Sequence, residues 1–253
     1  MPYAVDHIIH YVNDPDRLIE EGRRVGLYAV KGGRHETRGT YNTLAHFNFG
    51  YVEWIGVYDW DLARKNRVPH SVIDRIIRSG RREGIVHLAL RTSDIAGDAE
   101  RFRQAGVTTV GPIHGQRRRP DGTLVTWRQL YLYDSTNDIE LPFLIQWDRA
   151  EQPERETSLN PSVYGLIVRV NDLALADEWT KLFLWGKKDN FNAKTYQKDQ
   201  MTLNSGNLLI TFVKNKAVEP VNQNVAAIVW QGAEHRLSGS FHGVTLKSKN
   251  GEE

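Results

Sequence analysis

Cysteine is absent from the chain, and methionine occurs only twice. Without cysteine there can be no disulfide framework, Cys-ligated zinc, iron–sulfur cluster or thiol nucleophile. Its absence also suits a reducing compartment. Apolar residues nowhere run to the ~18 that a membrane-crossing helix needs. The segment Met1-Pro2-Tyr3-Ala4-Val5-Asp6-His7 meets a histidine too early for a signal peptide. A soluble, cytoplasmic protein is expected, with no membrane partner. An excess of one charge is lacking too: 33 Lys and Arg face 31 Asp and Glu, a net +2. Nucleic acid is therefore not an expected partner, and the basic runs 78–82 and 117–119 come without a reading helix. There is no P-loop, dinucleotide glycine motif, G-x-S-x-G elbow or H-E-x-x-H helix, so nucleotide-driven and serine-hydrolase chemistry have no support. What remains is 253 residues, 40% hydrophobic and 25% charged, enough to bury a core without covalent staples.

One pattern occurs three times. His7-Ile8-Ile9-His10-Tyr11-Val12-Asn13-Asp14, His87-Leu88-Ala89-Leu90-Arg91-Thr92-Ser93-Asp94 and Gly165-Leu166-Ile167-Val168-Arg169-Val170-Asn171-Asp172 are each an apolar run, a small polar residue and Asp. The runs read as strands. Each Asp stands where a helix N-cap belongs. Apolar residues three or four apart then predict helices over 15–25, 95–105 and 173–184, stopped by Gly26, Gly106 and Gly186. Further strands are expected at 40–48, 50–58, 124–132, 139–147, 201–203 and 207–213, with two more at 225–230 and 243–247. A short helix is expected through Val72-Ile73-Ile76-Ile77 within a polar connection.

Each unit thus reads strand, helix, then two or three strands: an α+β fold of repeated βαβββ units. Two units span 1–60 and 83–148, with a linker at 61–82. A third, βαβββ-like unit spans 158–248, beyond the charged, proline-containing segment 148–161.

This organisation resembles the vicinal oxygen chelate superfamily, which includes glyoxalase I, bleomycin-resistance proteins and extradiol dioxygenases. The closer resemblance is to glyoxalase-like bacterial proteins. It is carried by Val5-Asp6-His7, by Gly32-Gly33-Arg34-His35-Glu36-Thr37-Arg38-Gly39-Thr40-Tyr41-Asn42 leading to Tyr51-Val52-Glu53-Trp54-Ile55, and by Leu141-Pro142-Phe143-Leu144-Ile145-Gln146-Trp147. It covers about the first 150 residues. The resemblance implies that two units pair their sheets into a curved cleft with a divalent ion at its floor, held by the first and last strands of each unit. The implied ligands are His7 and Glu53 from the first unit, and His87 with Glu140 from the second. Aligning Val52-Glu53-Trp54 with Ile145-Gln146-Trp147 sets Gln146 rather than Glu140 opposite Glu53, so the fourth ligand stays open. Imidazole and carboxylate suit zinc, nickel, manganese or iron. The third unit has Gly165 at the histidine position and supplies no such ligand.

The residues support a site without the resemblance as well. Strand alternation puts His7 on a face with Val5, Ile9 and Tyr11, and Glu53 with Tyr51 and Ile55. A polar group on an apolar face must be paired or liganded when buried. The glycines at 32 and 33 allow a tight turn and bring His35, Thr40 and Asn42 toward the next strand. His35 is a candidate ligand, general base or substrate contact. Trp54, Trp127, Arg128 and Trp147 are candidates for a pocket wall, with His46 in the core.

The functional expectation is a metal-dependent lyase or isomerase acting on a small carbonyl compound, with Glu53 or Glu140 moving the proton. The rival is a small-molecule binder of the bleomycin-resistance type, which needs no metal. A ring-cleaving dioxygenase, with iron on two His and one Glu, ranks behind both because it takes its ligands from one half of the chain. The cleft can form within one chain or between the two chains of a homodimer.

Overall fold

The computed structural model describes residues 3–148, 159–185, 195–197, 200–214, 224–231 and 239–248. The first half runs β1 (Ala4–Tyr11), α1 (Arg17–Arg24), β2 (Val30–His35), β3 (Thr40–His46), β4 (Tyr51–Val57), α2 (Trp60–Lys65) and α3 (Val72–Arg78). It continues with β5 (Gly84–Arg91), α4 (Ile95–Gln104), β6 (Thr108–Arg118), β7 (Leu124–Asp134), β8 (Ile139–Glu140) and β9 (Phe143–Trp147). The second half runs β10 (Ser162–Val170), α5 (Ala174–Leu182), β11 (Thr195–Gln197), β12 (Gln200–Asn204), β13 (Leu209–Lys214), β14 (Asn224–Gln231), β15 (Gly239–Phe241) and β16 (Val244–Ser248). The fold is α+β, built from βαβββ units. No described helix is long and apolar enough to cross a membrane.

The described strands form two sheets. The first has the order β6-β2-β3-β4-β1-β5-β9-β7-β8, and β6 also pairs with β7, so the sheet closes on itself. The closing seam between β2 and β6 is one register pair, Arg34 with Arg118. β2 and β6 are strands that the sequence pattern left out. β2 is rich in glycine and charge, and β6 carries Gly111, Pro112 and a basic end, so neither shows apolar alternation. The second sheet has the order β11-β12-β13-β10-β14-β16-β15.

The two sheets share a plan. β1 lies between β4, which is parallel to it, and β5, which is antiparallel. β10 lies between β13 and β14 in the same senses. The same 158-residue step carries His7 to Gly165 and its partner Tyr51 to Leu209. A large apolar cluster joins the halves, with Ile8, Leu18, Leu90 and Phe102 from one and Leu166, Trp179, Trp185 and Phe212 from the other. A second, smaller cluster fills the inside of the closed sheet, with Ile9, Ile55, Phe143 and Ile145.

The helices follow the expected positions, but their caps differ. Asp94 caps α4, accepting from Gly97 N at 3.0 Å. Asp14 and Asp172 instead accept from the amides two residues on, of Asp16 and Ala174, while Asp16 and Leu173 occupy the N-cap positions without capping bonds. Gly26 and Gly106 end their helices at φ +82° and +81°, conformations open to glycine. Gly186, residues 149–158 of the second linker and the tail 249–253 lie outside the described residues. The first linker folds into α2 and α3, which lie over the closed sheet.

Candidate functional site

The inside of the closed sheet contains a cavity of about 250 Å³. His7, Tyr51 and Glu53 reach it from β1 and β4, His35 and Thr40 from β2 and β3, and Trp127, Gln129 and Tyr131 from β7. Ala63, Ser71 and Val72 of the α2–α3 segment close it on one side. The connection between the units is therefore part of the cavity wall.

A break in strand alternation sets His7. The β1–β5 register slips between Val5 and His7, leaving Asp6 as a bulge. A bulge re-aims the neighbouring side chains. Val5 consequently packs into the cluster between the halves, while His7, Ile9 and Tyr11 face inward. The bulge also lets adjacent side chains meet: His7 Nδ1 lies 2.7 Å from Asp6 Oδ1. Asp6 is fully buried and accepts further bonds from Arg91 Nε at 2.6 Å and Trp147 Nε1 at 3.2 Å. Burial alone would raise the Asp6 carboxyl, but its bonds and charges from His7 and Arg91 hold it below its ordinary value. Asp6 is thus an anion that fixes the His7 ring, which also stacks on Tyr51 at 4.6 Å.

Among the described residues, Glu53 is the one carboxyl group that lines the cavity, and it is 7% exposed. Asn42 Nδ2 donates to its Oε1 at 2.6 Å. Its Oε2 lies 3.6 Å from His7 Nε2, and its Oε1 lies 3.9 Å from His35 Nε2. Gly32 makes room for Asn42, since a Cβ there would come within 2.2 Å of Asn42 Oδ1. His35 Nδ1 bonds Thr40 Oγ1 at 2.8 Å, and its ring meets Trp127 edge-on at 5.7 Å. Burial first, then the positive charges of Arg117, Arg38 and His7, hold His35 well below the usual histidine range. It is a neutral imidazole at pH 7.

Other candidates stand elsewhere. His87 faces a second cavity of about 30 Å³, which Glu140, Arg75 and Trp179 also line. That volume suits a single buried water. The Phe143 ring stands between the two histidines, 5.8 Å from His7 and 4.9 Å from His87. Glu140 is bound by His70 at 3.0 Å and by Arg78. Gln146 accepts from Ile95 N and donates to Ser93 O, fastening the start of α4. Trp54 points to the opposite face of β4 from Glu53 and packs against Phe241. Arg128 is likewise turned away from the cavity, toward Asp148 at 3.6 Å.

Register explains the missing ligand. Ile9 pairs with Glu53, and its repeat counterpart Ala89 pairs with Phe143. Phe143, not Glu140 or Gln146, therefore occupies the place of Glu53 in the second unit. Among the described residues no group of three His, Asp or Glu side chains is arranged to hold a metal ion. The four-ligand set implied by the resemblance does not fit this chain.

Sequence reasoning missed Asp6, Arg38, Gln129, Tyr131 and the α2–α3 wall. The Asp6-His7 dipeptide was visible, but a bulge depends on the partner strand and leaves no mark in the pattern.

Paired βαβββ units around an internal polar cavity define the vicinal oxygen chelate class. The chain belongs to the glyoxalase-like domain family, whose model matches residues 5–183 and so extends through β10 and α5. A hypothetical protein from Staphylococcus aureus has 21% identity and a TM-score of 0.79, covering 98% of this chain and 99% of its own. Methylmalonyl-CoA epimerase from Mycobacterium tuberculosis is 22% identical with a TM-score of 0.42, covering 56% of this chain and 86% of its own. A single-residue variant of the Streptomyces coelicolor epimerase, in complex with 2-nitronate-propionyl-CoA, is also 22% identical with a TM-score of 0.42, covering 57% and 97%. A comparison with curated proteins finds no match.

Proposed function

We propose that this chain is a lyase or isomerase that moves a proton beside the carbonyl group of a small molecule. The observation that carries the reading is Glu53, a buried carboxyl group facing the cavity between two imidazoles. Glu53 takes a proton from the carbon next to the carbonyl. It returns it to the same or a neighbouring carbon, or to a leaving group. His35 gives the developing oxyanion a hydrogen bond rather than a charge, since it stays neutral. His7 is held by Asp6 so that Nε2, not Nδ1, faces the reacting groups. Asn42 fixes Glu53 Oε1 and leaves Oε2 toward His7. The four-ligand set that the resemblance implies for zinc, nickel, manganese or iron is not brought together, because His87 and Glu140 line a different cavity.

The test is hydrogen exchange in D2O. A panel of small 2-oxo compounds and hemithioacetals is incubated with the protein, and loss of the α-hydrogen is followed by proton NMR. The expected outcome is exchange with at least one member and a roughly 10²–10⁴-fold slower rate for Glu53→Gln. Equal rates in the two proteins contradict the reading.

A second reading, a non-enzymatic binder, is favoured by the aromatic wall. Trp127 and Trp147 stand 5.3 Å apart and both line the cavity with Tyr51 and Tyr131. Ligand-induced stabilisation without any exchange selects it over the first.

A further inference from the structure

The cavity also has a positively charged wall. Arg38 stands on the turn between β2 and β3, and its guanidinium spans the ring of strands. One Nη donates to Gln129 Oε1 on β7 at 2.6 Å, and the other to the His114 carbonyl on β6 at 3.1 Å. Both acceptors are neutral. Gln129 is 5% exposed, and its Oε1 also accepts from Tyr131 OH at 3.1 Å. Arg38 is therefore clamped in place by groups that do not balance its charge. No carboxylate of the described residues lies in ion-pair contact with it. Arg117, 4% exposed, also lines this cavity.

The outer surface is built differently. In a groove on the far side of β2 and β3, Arg118 pairs with Glu36, Lys31 pairs with Asp16, and Arg34 lies over the Tyr58 ring. Those cations already have partners. Arg38 instead keeps the rest of its planar fork of donors for the cavity, and such a fork matches a carboxylate. A half-buried charge facing neutral acceptors is costly until an anion arrives.

We infer that the cavity takes a small oxo acid, with the substrate carboxylate on Arg38 and the carbon beside the carbonyl turned toward Glu53. The carbonyl part rests on the proposed function; the carboxylate part rests on Arg38 alone. Two opposite charges in one cavity set the orientation. Glu53 repels the carboxylate end, and Arg38 attracts it. Neutral aldehydes and esters of the same size lose that anchor. Arg38 is thus a specificity-determining residue.

The experiment pairs small 2-oxo acids, such as 2-oxobutanoate, with their methyl esters. Binding is read by calorimetry and thermal shift to native protein, Arg38→Gln, Arg38→Lys and Glu53→Gln. An acid is expected to bind native protein and Glu53→Gln, and its ester at least tenfold more weakly. Arg38→Gln should weaken the acid roughly 10–100-fold and leave the ester unchanged, as expected for a lost charge-assisted hydrogen bond. Arg38→Lys should recover part of the loss. Unchanged ester affinity also reports that the Arg38→Gln cavity is intact. Equal binding of acid and ester, no acid binding, or full acid binding by Arg38→Gln overturns the proposal. The proton-transfer reading fails separately. If an acid binds through Arg38 but its α-hydrogen exchanges equally fast in Glu53→Gln, that reading falls and the carboxylate site stands. If esters exchange through Glu53 while acids do not bind, the reading stands and the carboxylate site falls.

Discussion

Asp6 and His7 are consecutive residues of one strand, and their side chains touch only because β1 bulges at Asp6. That contact is expected to govern both stability and the site. The Asp6 carboxyl is held below its ordinary value of 3.8. Its contribution to stability is therefore complete above about pH 4 and is lost as pH falls through the lowered value. Asp6→Asn should cost on the order of 3 kcal/mol at pH 7, since it removes one member of a buried charged set. It should also flatten the acid limb of stability below pH 4. Urea denaturation of the two proteins from pH 2.5 to 7 measures both effects; parallel acid limbs contradict the assignment. At this scale the convergence of His7, His35, Thr40 and Glu53 on one cavity, with Asn42 on Glu53, was legible because polar residues on apolar strand faces need a reason. His87, Glu140 and Gln146 stand outside the main cavity, because an equivalence between repeats depends on register. The structure puts Phe143 where the sequence alignment had put Gln146.

Among the elements, β2 and β6 close the expected curved sheet into a ring. They were invisible because glycine, proline and charge interrupt their alternation, and because the seam between them is non-local. Gly33 sits at that seam with φ +139°, and a Cβ there would fall 2.1 Å from the Arg118 carbonyl. Gly33→Ala is expected to open the β2–β6 seam. Amide exchange should then speed up at 33–35 and 117–118 while α4 keeps its protection, and ligand binding should weaken. Uniform exchange across both regions contradicts a local seam. The helices were more legible, since 3.6-residue periodicity and glycine stops are local signals. Capping was only partly so, and of the three repeat Asp residues Asp94 alone behaves as expected. Its replacement by Ala should cost about 1 kcal/mol by denaturant titration, against a negligible change for Asp14→Ala.

At the scale of the molecule, the second half repeats the strand plan of the first without the ionisable residues at these positions. Gly165 stands for His7, Thr211 for Glu53 and Ala227 for His87 in the matching registers. The second half is thus a packing partner for the first. Where the halves meet, His10 Nε2 lies 2.7 Å from the His242 carbonyl, and His242 bonds Glu83 and Glu21. Burial pushes His10 down to about 4, and burial holds His35 and His87 well below 6.5. A lowered histidine is neutral in the fold, whereas the unfolded chain binds a proton below about 6.5. Stability is therefore complete above pH 6.5 and falls as pH drops toward 4, by about 3 kcal/mol for His10 alone. His242, raised by its two carboxylates despite burial, works in the opposite sense and loses its contribution as pH rises above its ordinary value. Chemical denaturation at pH 4.5, 5.5 and 7 should show a steep rise that His10→Phe makes shallower; a slope unchanged by that variant contradicts the account. The repeated units were legible in the three apolar-run-to-Asp segments, but the packing of the halves was not, because no local pattern records which faces meet.

The proposed reaction is expected in one cavity, centred on Glu53 in the first half. The most direct measurement is a crystal structure of the protein soaked with a 2-oxo acid. Electron density is expected inside the closed sheet, with the carboxylate on Arg38 and the neighbouring carbon within reach of Glu53 and His35. Density only in the small cavity beside His87, or only in the groove of Arg34 and Arg118, would contradict it.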